Sequence, residues 1–164
     1  MIPKRIVLDT NVCLDLFVFR DPRWALLHDA LKNGQVQAIT RDDCRMEWSI
    51  VLSYPHLKLD ETDRARVSAE FDTLIRCYPI AEANAESAKL PICKDKDDQK
   101  FLELSRDEKV DVLITKDKAL LKLARKTRRD GLFSIMTPEA WMLEMTASPE
   151  AVSYTHLRAH ETLR

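Results

Sequence analysis

The chain has 164 residues, which is enough for one domain with a proper hydrophobic core. Hydrophobic residues make up 45% and charged residues 32%, a composition typical of a soluble globular protein. Lysine plus arginine number 26 and aspartate plus glutamate 27. The net charge of -1 therefore indicates no partner by itself, and any affinity for nucleic acid has to come from local clustering of charge.

Residue usage excludes several kinds of site. Only two glycines are present, which argues against a glycine-rich phosphate-binding loop. The four cysteines are scattered without C-x-x-C spacing, so we expect reduced thiols rather than a zinc site or disulfides. No stretch is apolar and long enough to span a bilayer, and the N-terminus lacks a signal-peptide pattern, so a cytoplasmic protein without membrane contact is expected.

The first motif is the stretch Lys-Arg-Ile-Val-Leu-Asp-Thr-Asn at residues 4–11. Three apolar residues before an acid predict a buried parallel strand that ends at Asp9. In an open α/β sheet this edge is where ligands bind, and a buried carboxylate there must be paired, metal-bound or protonated. Thr10 and Asn11 can orient the carboxylate, and the alternative is that Asp9 only caps the next helix.

Helices and strands alternate through the next part of the chain. The pattern predicts a short helix over Val12 to Phe19, a helix from Asp21-Pro22 to Asn33-Gly34, a strand over Val36 to Thr40, and a third helix capped by Thr40, Asp42 or Asp43. On the third helix Glu47 shares a broad face with Cys44, Trp48, Val51 and Leu52. A glutamate at such a position is more often an exposed surface residue. Glu47 would indicate a functional site only if another side chain were found as its partner.

The middle of the chain reads as a helical insertion followed by an acidic turn. One helix is predicted from Leu59 to about Cys77 and a weaker one near Ala83 to Lys89. The turn Cys-Lys-Asp-Lys-Asp-Asp at residues 93–98 precedes a further helix, and Asp95 or Asp97 can be its N-cap. Capping explains one or two of the three aspartates and leaves Asp98 free to act at the helix start.

A third acidic position repeats the pattern of the first. The apolar stretch 110–114 predicts a strand that ends in Thr115 and Asp117, before a helix from Lys118 to Gly131. A basic face on that helix is either solvated or a track for a phosphate backbone; its members are Lys118, Lys122, Arg125, Lys126 and Arg129. A last strand over Leu132 to Met136 and a helix from Thr137-Pro138-Glu139 complete the pattern.

Alternating strands and helices favour a parallel sheet covered on both faces, with all strand carboxyl ends at one edge. Asp9 and Asp117 follow such strands, and Asp98 and Glu47 lie on helices that reach the same edge. Four converging carboxylates need cations, and hard oxygen ligands suit Mg²⁺ or Mn²⁺. Such a site supports hydrolysis of phosphodiester bonds.

These motifs together resemble the PIN domain, and most closely the bacterial toxins of toxin–antitoxin pairs. The resemblance extends from about Lys4 to Met145. It implies a three-layer α/β/α sandwich with a mainly parallel, Rossmann-like sheet, and an endoribonuclease dependent on Mg²⁺ or Mn²⁺. It assigns metal binding and catalysis to Asp9, Glu47, Asp98 and Asp117, with Asn11 and Thr115 as supporting residues and Asp97 as the competitor of Asp98. RNA as substrate, an antitoxin protein and a homodimer are implied partners.

Two other functions compete with the nuclease. A phosphatase similar to the haloacid dehalogenases would use Asp9 as nucleophile, but it would want a second acid two residues later, where Asn11 stands. A PIN-like domain that binds RNA or protein without cutting is the other alternative. The four mutually repelling acids argue against this second alternative, since a scaffold has no need of them.

The C-terminal segment differs in character from the rest. Residues 152–162 resemble the translation of a transposase-type sequencing adapter, so we expect one domain over residues 1–148 and a non-native or disordered tail over 149–164. His156 and His160 have the spacing of a helical metal-binding pair, but they are discounted on this ground.

Overall fold

The computed structural model of the protein describes residues 4–82 and 87–147. Five parallel strands form one sheet in the order β3-β2-β1-β4-β5. The strands are β1 (Lys4–Leu8), β2 (Val36–Arg41), β3 (Ile75–Tyr78), β4 (Val112–Ile114) and β5 (Ser134–Met136). The predicted parallel sheet is therefore confirmed, and it contains one strand more than the sequence pattern indicated.

Helices cover both faces of this sheet. They are α1 (Thr10–Cys13), α2 (Ala25–Lys32), α3 (Asp42–Leu52), α4 (Glu61–Leu74), α5 (Gln99–Asp107), α6 (Lys118–Leu121), α7 (Ala124–Arg129) and α8 (Pro138–Ala147). Alternate residues of β1 enter two separate cores: Ile6 and Leu8 pack with residues of α1 to α4, and Val7 packs with residues of α5 and α6. The three-layer α/β/α sandwich is confirmed.

The order of the strands brings the ends of β1 and β4 together. After β1 the chain continues to β2 on one side of the sheet, and it later returns to β4 on the other side. Leu8 is paired with Ile114, and the backbone N–H of Asp9 donates to the carbonyl of Ile114 at 3.1 Å. Ligands of open α/β sheets bind at such a reversal of strand order, so this edge is the expected place for a site.

The predicted helix from Leu59 to about Cys77 is wrong at its end. It stops at Leu74, and Ile75–Tyr78 forms the edge strand β3 beside β2. An isoleucine and a tyrosine suit a strand, but Arg76 and Cys77 are exposed at the sheet edge, and this hides the alternation that marks a half-buried strand. At its other end a capping box of Asp60 and Asp63 fixes the start of this helix at Glu61, within two residues of the predicted Leu59.

Two other predicted helices differ in detail. The segment Val12 to Phe19 begins as α1 and continues as a π-helical stretch over Leu14–Val18, with the N–H of Phe19 bonded to the carbonyl of Leu14. The basic helix after Asp117 is divided into α6 and α7, because the N–H of Leu123 bonds to Leu120 in a tighter turn. The five basic residues of the predicted face are all exposed, and their role as a track stays a prediction.

The start of α3 also differs from the prediction. Arg41 is the N-cap residue, no side chain caps this helix, and Asp42 and Asp43 lie in its first turn. The guanidinium of Arg41 is only 5% exposed, and it bonds Asp43 of α3 at 2.7 and 2.8 Å and Glu103 of α5 at 2.9 Å. A buried cation therefore holds α3 and α5 together at the end of β2.

Loss of this cation is expected to destabilise the fold. Arg41→Gln leaves carboxylates on two helices without their shared partner, and we expect the free energy of unfolding to fall by about 3 kcal/mol. Arg45→Gln is the matched control, because Arg45 pairs with Asp72 at the surface, where such pairs contribute less than about 1 kcal/mol. Urea unfolding of both variants measures the difference, and equal losses would contradict this role of Arg41.

Some predictions fall outside the described residues. Residues 83–86 of the weaker predicted helix are among them, and Ser87 to Lys89 are not helical. The tail over 149–164 lies outside as well, so the domain boundary at residue 148 stays a prediction. Among the described helices, none combines the length and the apolar character that crossing a membrane requires.

Candidate active site

Asp9 lies at the carboxyl end of β1 and is only 4% exposed. Its Oδ1 accepts a 2.9 Å hydrogen bond from the N–H of Val12, so it caps α1. Its Oδ2 accepts a hydrogen bond from the hydroxyl of Thr115. Burial raises the pKa of Asp9, although these two hydrogen bonds oppose the shift. Asp9 is therefore a helix cap and also a fixed carboxylate at the edge of the sheet.

Thr115 connects the two strand ends. Its hydroxyl donates a hydrogen bond to Asp9, and the oxygen of the same hydroxyl accepts a 2.9 Å hydrogen bond from the N–H of Asp117. Asp117 then caps α6, with its Oδ1 accepting the N–H of Ala119 at 2.8 Å. One fully buried hydroxyl thus contacts both Asp9 and the backbone of Asp117, and the supporting role of Thr115 in a functional site stays a prediction.

The acidic turn before α5 reaches the same edge. Asp95 caps a short 3-10 helix over Lys96–Asp98, which leads directly into α5. Asp95, Asp98 and Asp117 each offer a carboxylate oxygen within 4.8 Å of the other two. Of the two competing aspartates, Asp97 is exposed, whereas Asp98 is half-buried and belongs to this cluster.

The electrostatics of the cluster are unfavourable for three ionised carboxylates. Oδ2 of Asp98 is buried, and no hydrogen-bond donor within residues 4–82 and 87–147 reaches it. Burial, a hydrogen bond shared with Asp117 when protonated, and repulsion from Asp117 raise the pKa of Asp98 to about 8. The same shared hydrogen bond lowers the pKa of Asp117. One of these two acids therefore holds a proton more readily than an isolated carboxylate does.

Glu47 has partners of a different kind. Its Oε2 accepts a hydrogen bond from the hydroxyl of Thr10, and its Oε1 lies 2.9 Å from the ammonium of Lys100. Burial is the strongest single influence on Lys100 and lowers its pKa, but the hydrogen bond to Glu47 and the nearby negative charges together outweigh burial and raise the pKa of this lysine. Thr10 therefore orients the carboxylate of Glu47, whereas the sequence had indicated that it would orient the carboxylate of Asp9.

The structure brings the predicted acids to one edge, in two groups. Asp98 and Asp117 share a cluster, and Asp9 is their neighbour: after burial, the charge of Asp117 contributes to raising the pKa of both Asp9 and Asp98. Glu47 is bound instead to Thr10 and Lys100. Asn11 is exposed, and its supporting role stays a prediction.

Sequence reasoning considered Asp95 only as a helix cap, and it overlooked Lys100. The spacing of Asp95 and Asp98 by three residues was a usable signal, because residues three apart share one face of a helical turn. Lys100 and Glu47 lie on different helices and are 53 residues apart in sequence, so no local pattern showed their contact.

The residues present fit a divalent cation. A buried carboxylate oxygen without a donor is costly, and a cation among the three carboxylates would satisfy it and offset their repulsion. An all-oxygen set of this kind suits Mg²⁺ or Mn²⁺ better than a softer metal.

The fold and this site define an α/β protein with a cluster of acidic side chains at the carboxyl edge of its parallel sheet. The family model described as the PIN domain matches residues 5–119, which include β1, α3, the acidic turn and Asp117. The chain therefore belongs to the PIN domain family, as the motifs predicted. A comparison with curated proteins found no match.

Proposed function

We propose that this protein is an endoribonuclease that depends on Mg²⁺ or Mn²⁺ and hydrolyses phosphodiester bonds in RNA. The observation that carries the proposal is the buried Oδ2 of Asp98, which has no donor among the described residues and lies in a cluster with Asp95 and Asp117. Membership of a family of nuclease type supports the same reaction.

In this proposal each acid has a stated task. Asp98 and Asp117 hold the cation, Asp95 completes the cluster, and Asp9 adds a fixed negative charge beside Asp117. Glu47 acts at the same edge through its own partners. When bound, the cation activates water and stabilises negative charge on the phosphate. In the overall reaction a water oxygen bonds to phosphorus, one bridging P–O bond breaks, and the leaving oxygen gains a proton.

The geometry of Asp9 favours this reaction over phosphotransfer through an aspartyl phosphate. A nucleophilic carboxylate needs an oxygen free to attack phosphorus. Both oxygens of Asp9 accept hydrogen bonds, from Val12 and Thr115, and the side chain is buried. An arrangement that fixes the carboxylate in this way suits a ligand or an electrostatic role.

The test is cleavage of labelled, mixed-sequence single-stranded RNA by the full chain in Mg²⁺, in Mn²⁺ and in EDTA. We expect products in one or both metals and none in EDTA. Thermal unfolding in the same buffers reports metal binding independently, because a ligand of the folded state raises the melting temperature. RNA binding without cleavage in either metal would instead favour the non-cleaving PIN-like domain.

We also propose, on the resemblance to bacterial toxins, that the protein is the toxin of a type II pair, acts in the cytoplasm, forms a homodimer and is restrained by an antitoxin protein. Expression in a bacterial host tests the toxin role. We expect wild-type chain to arrest growth and Asp98→Asn chain to be tolerated. Equal growth with both chains would contradict a toxin role, while leaving the nuclease assay unaffected.

A further inference from the structure

We propose that Lys100 takes the place of a second divalent cation: the site binds one ion, at Asp95, Asp98 and Asp117, and the Lys100 ammonium, held by Glu47, contacts the phosphate that is cleaved. This inference rests on the proposed function. It assigns to Glu47 the task of positioning a lysine instead of binding metal.

The first argument is that Glu47 is already engaged. One carboxylate oxygen accepts from the Thr10 hydroxyl and the other contacts the Lys100 ammonium at 2.9 Å. Because the Lys100 ammonium already balances the charge of the Glu47 carboxylate, this carboxylate attracts a further cation less strongly than an unpaired one does. A second divalent ion beside Glu47 would also meet the positive charge of Lys100 at short range, which disfavours its binding.

The second argument is that the Lys100 ammonium is built into the site. Most lysines extend into solvent, but the side chain of Lys100 is only 15% exposed. Its ammonium contacts Glu47 and the carbonyl of Asp97, and it lies 5.2 Å from the centre of the Phe101 ring. An ammonium has three N–H donors, and its hydrogen bonds within residues 4–82 and 87–147 use two of them, which leaves one donor for a substrate oxygen.

The third argument concerns position. Lys100 lies in the first turn of α5, two residues after Asp98, so the helix start presents a metal-binding carboxylate and a cation together. Lys116, which adjoins Asp117 in sequence, is used differently, because its ammonium pairs with Asp15. Lys100 is thus a lysine whose ammonium is held at the edge of the sheet where the carboxylates lie.

A fixed ammonium at this place supplies what a second cation would supply. During hydrolysis negative charge develops on the phosphate oxygens and on the leaving oxygen, while water gives its oxygen to phosphorus and a proton to the leaving group. A preorganised donor aimed at such charge accelerates a reaction by about 100-fold to 1000-fold.

The first measurement is the number of Mn²⁺ ions bound per full chain, by titration calorimetry and by electron paramagnetic resonance. Ions bound elsewhere are subtracted by repeating the titration with Asp98→Ala. We expect one ion to be lost in that variant. A loss of two ions would overturn the inference and leave the proposed function standing. No difference between the two proteins would overturn both.

The second measurement is single-turnover cleavage of RNA at saturating Mn²⁺. We expect Lys100→Met to slow cleavage about 100-fold with less than about a threefold change in Mn²⁺ affinity, and Lys100→Arg to recover part of the rate. Lys4→Met is the control, since Lys4 is exposed at the opposite end of β1. Cleavage by Lys100→Met within threefold of wild type would overturn the inference. If Lys100→Met does not fold, the number of Mn²⁺ ions bound by the wild-type protein decides whether the inference stands.

Discussion

Asp98→Asn is expected to abolish RNA cleavage and, at the same time, to stabilise the metal-free protein. Removing the carboxylate deletes a ligand of the proposed cation, which should slow cleavage by about 1000-fold or more. It also removes repulsion from Asp117, and the amide can donate a hydrogen bond to that carboxylate. Without metal we therefore expect a higher melting temperature than wild type, by a few degrees for each ~1 kcal/mol gained.

The stabilisation by Asp98→Asn should depend on pH. Folding raises the pKa of Asp98 from its ordinary value to about 8. Between these two pKa values the folded protein holds a proton that the unfolded chain releases, so the free energy of unfolding falls as the pH rises. The variant lacks this loss, so its advantage in melting temperature should be larger near pH 9 than near pH 5. Added Mn²⁺ should raise the melting temperature of wild type and leave that of the variant almost unchanged.

Asp97→Asn is the matched control for Asp98→Asn. Asp97 is exposed on the same turn, one residue away, and its backbone contacts remain in the variant. We expect wild-type cleavage and a wild-type response to Mn²⁺. If Asp97→Asn lost cleavage and Asp98→Asn kept it, the assignment of the metal-binding aspartate would be reversed.

The second large effect is expected at Asp9, where two substitutions should separate activity from stability. Asp9→Asn keeps an oxygen for the N–H of Val12 and loses the charge, and its amide N–H can donate to the Thr115 oxygen in place of the hydrogen bond from that hydroxyl. The fold should therefore persist while cleavage falls about 100-fold. Asp9→Ala also removes the cap of α1 and leaves Thr115 without any side-chain partner at residue 9. It should cost a further ~1–2 kcal/mol of unfolding free energy.

Cleavage assays and urea unfolding of both Asp9 variants measure these effects. Asp111→Asn serves as the control, because Asp111 is an exposed acid next to the amino end of β4, at the opposite edge of the sheet. It should cleave RNA like wild type. If Asp9→Asn cleaved as fast as Asp111→Asn, the charge of Asp9 would have no part in the reaction.

The sequence by itself determined the architecture and the strand ends of this protein. Unbroken apolar runs before Asp9 and Thr115 predict buried parallel strands, because both faces of such strands are covered, and parallel strands end at one edge. Local capping patterns likewise indicated helix starts, as at Asp95. These features depend on residues that are neighbours in sequence, so they can be recognised without knowledge of the fold.

Only the tertiary structure decided how the acids are grouped. The Arg-Cys pair of β3 hid an edge strand, and the contact between Glu47 and Lys100 spans 53 residues and two helices. Oδ2 of Asp98, which no donor from the described part of the chain reaches, owes its isolation to the burial of the turn beside Asp117. Desolvation and contacts between distant residues arise when the chain packs, and they separate the cluster of Asp95, Asp98 and Asp117 from the Glu47–Lys100 pair.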